Sequence, residues 1–146
     1  MLHINTIMIT VYIDGIFDMF HRGHLECLLK SKQIRPNQEV HLIAGLIDDE
    51  TATEYKRPPI CNQDDRYAIL SNIRCVDQVI FPAPLHISRG FVKRHNIDII
   101  VHGFSDSKDK EKQDEFTKDV DDMFETIPYY SYSSTTGLIN KIKEKY

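Results

Sequence analysis

Tryptophan is absent from these 146 residues, and cysteine is scarce, with Cys27, Cys61 and Cys75 the whole complement. Three thiols form neither an even disulfide set nor a spaced metal quartet. A disulfide scaffold is therefore excluded, and free thiols in a reducing, cytoplasmic compartment are expected. Long apolar runs are lacking as well. The opening MLHINTIMITVYID has no basic stretch ahead of its apolar residues and no small-residue cleavage site, and its apolar run stops at Asp14. Nowhere do about 18 apolar residues follow one another, so no transmembrane segment is expected. Positive charge is not in excess: 18 Lys and Arg against 22 Asp and Glu leave a formal charge of −4. That balance offers no broad footprint for nucleic acid, though it leaves room for a small basic pocket. Two glycine-rich phosphate signatures are missing too. With no G-x-G-x-x-G after the first apolar stretch and no G-x-x-x-x-G-K-[ST] anywhere, a standard dinucleotide fold and a P-loop lack support.

What is present fits one ordinary globular domain spanning residues 1–146, with 41% hydrophobic and 27% charged residues. Ile7 to Ile13 is β-branched and apolar on both faces, which suits a buried parallel strand. Further strands are expected at Val40 to Leu46, Val79 to Phe81, Ile97 to Val101 and Thr126 to Tyr130. Helical spacing or cap residues predict helices from about Arg22 to Gln33, after Asp48, after Asn62, from Ser88 to His95, and from SSTT through Ile142. The stretch YKRPPICN reads as loop, and the charged segment from Ser105 to Phe124 as a solvated helix or mobile loop. Strands alternating with helices predict an α/β domain with a mostly parallel central sheet flanked by helices. Its ligand belongs outside the carboxyl ends of the strands, near a switch in strand order.

His21 and His24 flank Arg22 and Gly23 just after the first strand, at the mouth of a helix. Residues three apart in a helical turn point the same way, so both imidazoles share one pocket. A helix start favours anions, and Gly23 lets a phosphate approach the backbone. A phosphate grip is the resulting reading. A zinc site would need His102, after the fourth strand, as third ligand, but H-E-x-x-H and a cysteine set are both absent. His102 therefore reads as a phosphate or substrate contact. For His3, His41, His86 and His95 ordinary structural roles are expected.

Asp14 and Asp18 bracket the turn after the first strand and can hold a substrate ammonium, a magnesium ion or a backbone turn. Lys56 and Arg57 lie on a proline-stiffened loop, from which a lysine can set its charge against a polyphosphate. Arg66 sits near a helix start, where an acid is normally favoured, so an anion is expected to face it. Ser133, Ser134, Thr135 and Thr136 offer hydroxyls and N–H groups at the last helix start.

The segment DGIFDMFHRGH, with Asp14, Gly15, Phe17 and Asp18 leading into the H-x-G-H of His21 to His24, resembles the cytidylyltransferases that activate phospholipid head groups. Asp65-Arg66-Tyr67, Arg74 to Val79 and Ser134 to Ile139 resemble further motifs of that family in order, from about Val11 to Ile142. The resemblance implies a Rossmann-like nucleotidyltransferase fold and transfer of CMP from CTP to a phosphorylated amino alcohol, with release of pyrophosphate. It implies His21, His24 and Lys56 as catalytic groups. Ile13, Gly15, Phe17, Arg66, Ser134, Thr135 and Thr136 are implied at the nucleotide, and Asp14, His102 and Tyr130 at the head group. Mg²⁺ is implied with CTP, and a homodimer through Arg74 to Val79. Leu85 in place of a family aromatic, His102-Gly103 and Pro58-Pro59 point to ethanolamine phosphate as acceptor. Choline phosphate is the alternative, as is a catalytically weakened regulatory copy. The last is motivated by a departure: the family's R-T-x-G stands here as Tyr129, Tyr130, Ser131 and Tyr132, without its arginine.

Overall fold

A computed structural model describes residues 7–146; His3 and the rest of the first six residues lie outside them. Five parallel strands form one sheet in the order β3-β2-β1-β4-β5. β1 (Met8–Gly15) and β2 (Glu39–Leu46) pair along their full length, Met8 with Glu39 through Gly15 with Leu46. β4 (Ile99–His102) takes the other side of β1, so the chain reverses its direction of winding there. β3 (Gln78–Ile80) and β5 (Phe124–Thr126) are short edges.

The side-chain period of two sorts the sheet into two faces. Val11, Ile13, Leu42, Ala44 and Leu46 point to one side, where Leu28 of α1 (Arg22–Lys32) and Leu70 of α3 (Gln63–Leu70) cover them. Tyr12, Ile43 and Ile100 point to the other, against Phe91 and Val92 of α4 (Arg89–Arg94) and Val120. Both faces are thus buried, which is why β1 and β2 read as continuous apolar runs. Gly45 is dictated by this packing, since a Cβ there would lie 2.1 Å from the Tyr12 hydroxyl.

The remaining helices are α2 (Asp49–Tyr55), α5 (Ser107–Phe116) and α6 (Thr135–Lys145). The charged stretch is ordered as α5 and a 3-10 turn over Lys118–Met123. β5 lies earlier than Thr126 to Tyr130. Pro128 has no N–H to give a ladder, so pairing with β4 stops at Thr126 and the tyrosines beyond it leave the sheet. No helix among the described residues is long and apolar enough to cross a membrane.

Candidate active site

β1 runs out at the switch in strand order, and the turn beyond it is strained. Phe17 and Met19 hold φ of 53° and 46°, a region that side-chain-bearing residues enter only when their surroundings enforce it. Two buried charged side chains do the enforcing. The Asp18 carboxylate accepts the Ile60 N–H at 2.7 Å and the Cys61 N–H at 2.8 Å, which ties the loop after α2 to the turn. Of the roles open to Asp18, it fills the backbone one. Arg66, 1% exposed, donates to the carbonyls of Ile16 (2.6 Å), Ile47 (2.8 Å) and Cys61 (3.0 Å) and to Asp49 Oδ1 (2.7 Å). The expectation that Arg66 grips the nucleotide is corrected by this geometry. Its guanidinium is spent on joining three loops, and it does not line the cavity they enclose.

At the start of α1 two imidazoles replace the usual hydroxyl and carboxylate of a capping box. His21 Nδ1 accepts the Gly23 N–H at 3.0 Å, and His24 Nδ1 accepts the His21 N–H at 3.2 Å. With each Nδ1 accepting, the neutral rings carry their proton on Nε2. His21 Nε2 lies 3.2 Å from the Thr135 hydroxyl, which donates to the Asp18 carbonyl at 3.3 Å. Burial pushes the His24 pKa down to about 3, assisted by the adjacent His21 and by Lys56. Burial lowers His21 as well. Gly23 closes the arrangement: a Cβ there would meet the Ser133 carbonyl oxygen at 2.7 Å.

The start of α6 faces the start of α1. Ser134 caps it, its Oγ accepting the Gly137 N–H at 2.9 Å. Neither α1 nor α6 has an acid in its first turn, whereas α2, α3 and α5 all do. Two positive helix ends aimed at one space, with Lys56 and Arg57 beside them, call for an anion supplied from outside. Lys56 is held below the ordinary lysine range by burial and then by Arg57.

Opposite this corner lies Asp14, whose pKa burial raises to about 6 against the pull of His102. His102 Nε2 is 3.4 Å from Asp109 Oδ2. Burial alone would raise the Asp109 pKa, but hydrogen bonds from His102 and Ser105 outweigh it and hold the carboxyl low. Tyr55 stands edge-on to Phe116 at 5.5 Å. Tyr130 also lines the space, with the Arg22 guanidinium over its ring at 5.7 Å.

One cavity of about 430 Å³ contains both corners. It brings together the expected His21, His24, Lys56, Asp14, His102 and Tyr130. Ile13, Gly15, Phe17, Ser134, Thr135 and Thr136 line it as well. Tyr55, Asp109, Gln113 and Phe116 were not anticipated. The last three recur at helical spacing on one face of α5, a pattern visible in the sequence but masked by the surrounding charge. The three-histidine zinc arrangement is not assembled, and no cluster of three or more His, Cys, Asp or Glu converges on a metal position among the described residues.

Comparison with known proteins points to one family. A cytidylyltransferase-like family model matches residues 12–139. Choline-phosphate cytidylyltransferase A of Mus musculus is 37% identical over 94 residues, 64% of this chain and 25% of that protein. Ethanolamine-phosphate cytidylyltransferase of the same organism is 35% identical over 98 residues, 66% of this chain and 23% of that protein. The chain thus aligns with about a quarter of the length of these relatives. A lipopolysaccharide core biosynthesis protein from Thermoplasma volcanium GSS1 shares the fold, with a TM-score of 0.64 at 24% identity over 86% of this chain and 98% of that one.

Proposed function

The chain belongs to the cytidylyltransferase-like family, and from that premise we propose that it transfers CMP from CTP to a phosphorylated amino alcohol. The observation that carries this reading is the single cavity in which paired imidazoles and two helix N-termini face a partly buried carboxylate, Asp14. The first corner suits phosphates and the second an ammonium.

In the proposed reaction an oxygen of the acceptor's phosphate forms a bond to the α-phosphorus of CTP. The bond from that phosphorus to the bridging oxygen breaks, and pyrophosphate leaves with the electron pair. Such a transfer needs alignment and stabilisation of charge more than covalent help. His21 and His24, neutral by burial, donate through Nε2–H as negative charge develops. Lys56 sets its ammonium between the two phosphate groups. The N–H groups at Thr135 and Thr136, with the Ser134 hydroxyl, hold the nucleotide's phosphates, while Ile13, Gly15 and Phe17 line the nucleotide's path. Mg²⁺ fits best as a passenger of CTP: apart from the loop-bound Asp18, the cavity's carboxylates, Asp14 and the His102-paired Asp109, stand at the ammonium end, so the ion's oxygen ligands come from the triphosphate and water.

Asp14, His102 and Tyr130 form the head-group end. Choline phosphate is the acceptor favoured by the slightly higher identity to choline-phosphate enzymes and by the Tyr55–Phe116 pair beside the carboxylates. Ethanolamine phosphate is the second reading, favoured by the acceptors on Asp14, Asp109 and Gln113, which suit a primary ammonium. A second copy of the chain is the proposed partner. Tyr67, Ile69 and Phe81 are exposed beside Arg74 to Val79 and the three-residue edge strand β3, where a symmetric contact would cover them.

The test is pyrophosphate release by the chain with CTP and Mg²⁺, in parallel with phosphocholine, phosphoethanolamine and glycerol 3-phosphate. Release with one amino-alcohol acceptor, reduced at least about a hundredfold by His24→Ala, is the expected result. CTP binding without release for any acceptor would leave the chain as a regulatory copy.

A further inference from the structure

The Arg57 guanidinium reaches across the cavity mouth to the start of α6, its Nη1 donating to Thr136 Oγ1 at 3.3 Å. Thr136 lies in the first turn of α6, behind the Ser134 cap. Among the described residues Arg57 forms no ion pair. A guanidinium lodged against the positive end of a helix is electrostatically unfavourable unless an anion comes between or beside them. Among the described residues none supplies that anion: the first turn of α6 contains no acid and no carboxylate pairs with Arg57. Lys56 and Arg57 are the two Lys or Arg side chains that line the cavity among the described residues. Lys56 is the more exposed of the neighbours and lies near Asp109 and Lys112. Arg57 is aimed the other way, at the outer rim. Tyr129, Tyr130 and Tyr132 bring no cation to that rim.

We infer that Arg57 is a nucleotide-specificity residue: it grips the terminal phosphates of CTP, and with Thr136 it bridges the loop after α2 to α6 over the bound triphosphate. The inference rests on the proposed function and adds to it the group that distinguishes a triphosphate from a monophosphate. A planar fork with fixed donors suits two phosphate oxygens at once, which a lysine does not reproduce. The loop is already anchored by Asp18 through Ile60 and Cys61, so Arg57 is presented on a fixed base.

Calorimetric titration of the chain with CTP, CDP and CMP, each with Mg²⁺, tests this. Arg57→Gln is expected to weaken CTP by about ten- to a hundredfold and leave CMP unchanged. Arg57→Lys should recover part of the loss, and Thr136→Val should lose less than Arg57→Gln. In turnover the KM for CTP should rise while the KM for the acceptor stays put. Equal weakening of CTP and CMP, or no weakening of CTP, overturns the role of Arg57 and leaves the proposed function standing. A wild-type chain that binds none of the three nucleotides overturns both. The side chain at position 57 is partly exposed, and an unchanged melting temperature for Arg57→Gln separates loss of binding from loss of folding.

Discussion

His21 and His24 stack ring on ring, with centroids 3.8 Å apart and planes 28° off parallel. Each is locked by an amide donating to its Nδ1, so the pair is a rigid element of the helix start and not two free side chains. Side by side and partly out of water, the two rings resist protonation, burial being the main cause and their mutual repulsion the second for His24.

Stability should carry that signature. A His24 pKa of about 3 in the folded chain against 6.5 unfolded means that only the unfolded state takes up the proton between those values. Stability is then whole above pH 6.5 and falls as pH drops toward 3, with a slope of about 1.4 kcal/mol per pH unit. Asp14 opposes this, since its raised pKa favours the folded state as pH falls from about 6 toward 3.8. Urea melts of wild type and His24→Asn across pH 3 to 8 should therefore converge at low pH relative to their difference above pH 7. Parallel curves would rule out the buried neutral imidazole.

Gly23→Ala should damage both ends of the phosphate corner. The new methyl would meet a backbone oxygen, Ser133 O, at 2.7 Å, and the His21 ring at 2.8 Å, so neither the α6 start nor the cap can stay in place. A loss of about 1–3 kcal/mol of stability is expected from the overpacking, with turnover reduced further than stability. Urea midpoints and pyrophosphate release measured on one preparation separate the two effects.

Asp18→Asn is expected to loosen the loop that presents Lys56. One of the two amides at Ile60 and Cys61 keeps an acceptor, but both lose the carboxylate's charge. The cost should be about 1–3 kcal/mol. Amide hydrogen exchange at Ile60 and Cys61 should accelerate more than exchange in β2. Uniform acceleration throughout the sheet would mean that Asp18 supports the whole fold and not this loop.

Acceptor use should depend on the ionisation of Asp14. Its carboxyl titrates at about 6, so attraction for an ammonium is present above that pH and fades below it. The kcat/KM for the amino-alcohol acceptor should fall as pH drops through 6. The acceptor's own phosphate also titrates near 6, and Asp14→Asn isolates the protein's share: the variant should keep only the phosphate's part of the decline. An unchanged pH profile in Asp14→Asn would remove Asp14 from the head-group end.

The sequence was legible where a residue's role depends on near neighbours. The H-x-G-H spacing puts two imidazoles at one helix start because a helical turn is local. The alternation of apolar strands with helices marks the parallel sheet because βα units need no other pattern. β5 was misplaced by position alone, since the chain from Thr126 to Tyr130 has strand-forming residues but Pro128 interrupts the ladder. Arg66 was misread for a different reason. Its unfavourable place in a helix start is visible in sequence, but the carbonyls of Ile16 and Ile47 that answer it come from distant loops.

Fold class, family and the short-range groups (the paired histidines, the Ser134 cap and the buried strands) are legible from local sequence. What those groups face depends on long-range packing. α5 reads as a solvated charged helix, yet Asp109, Gln113 and Phe116 point inward because α5 packs over the open end of the sheet. Arg57 reads in sequence only as a residue of a proline-stiffened loop, yet the loop held by Asp18 sets it against α6, 79 residues further along the chain. Periodicity and capping follow from the backbone geometry of a few successive residues, whereas the partner of a long side chain depends on which loops the strand order brings to the same end of the sheet.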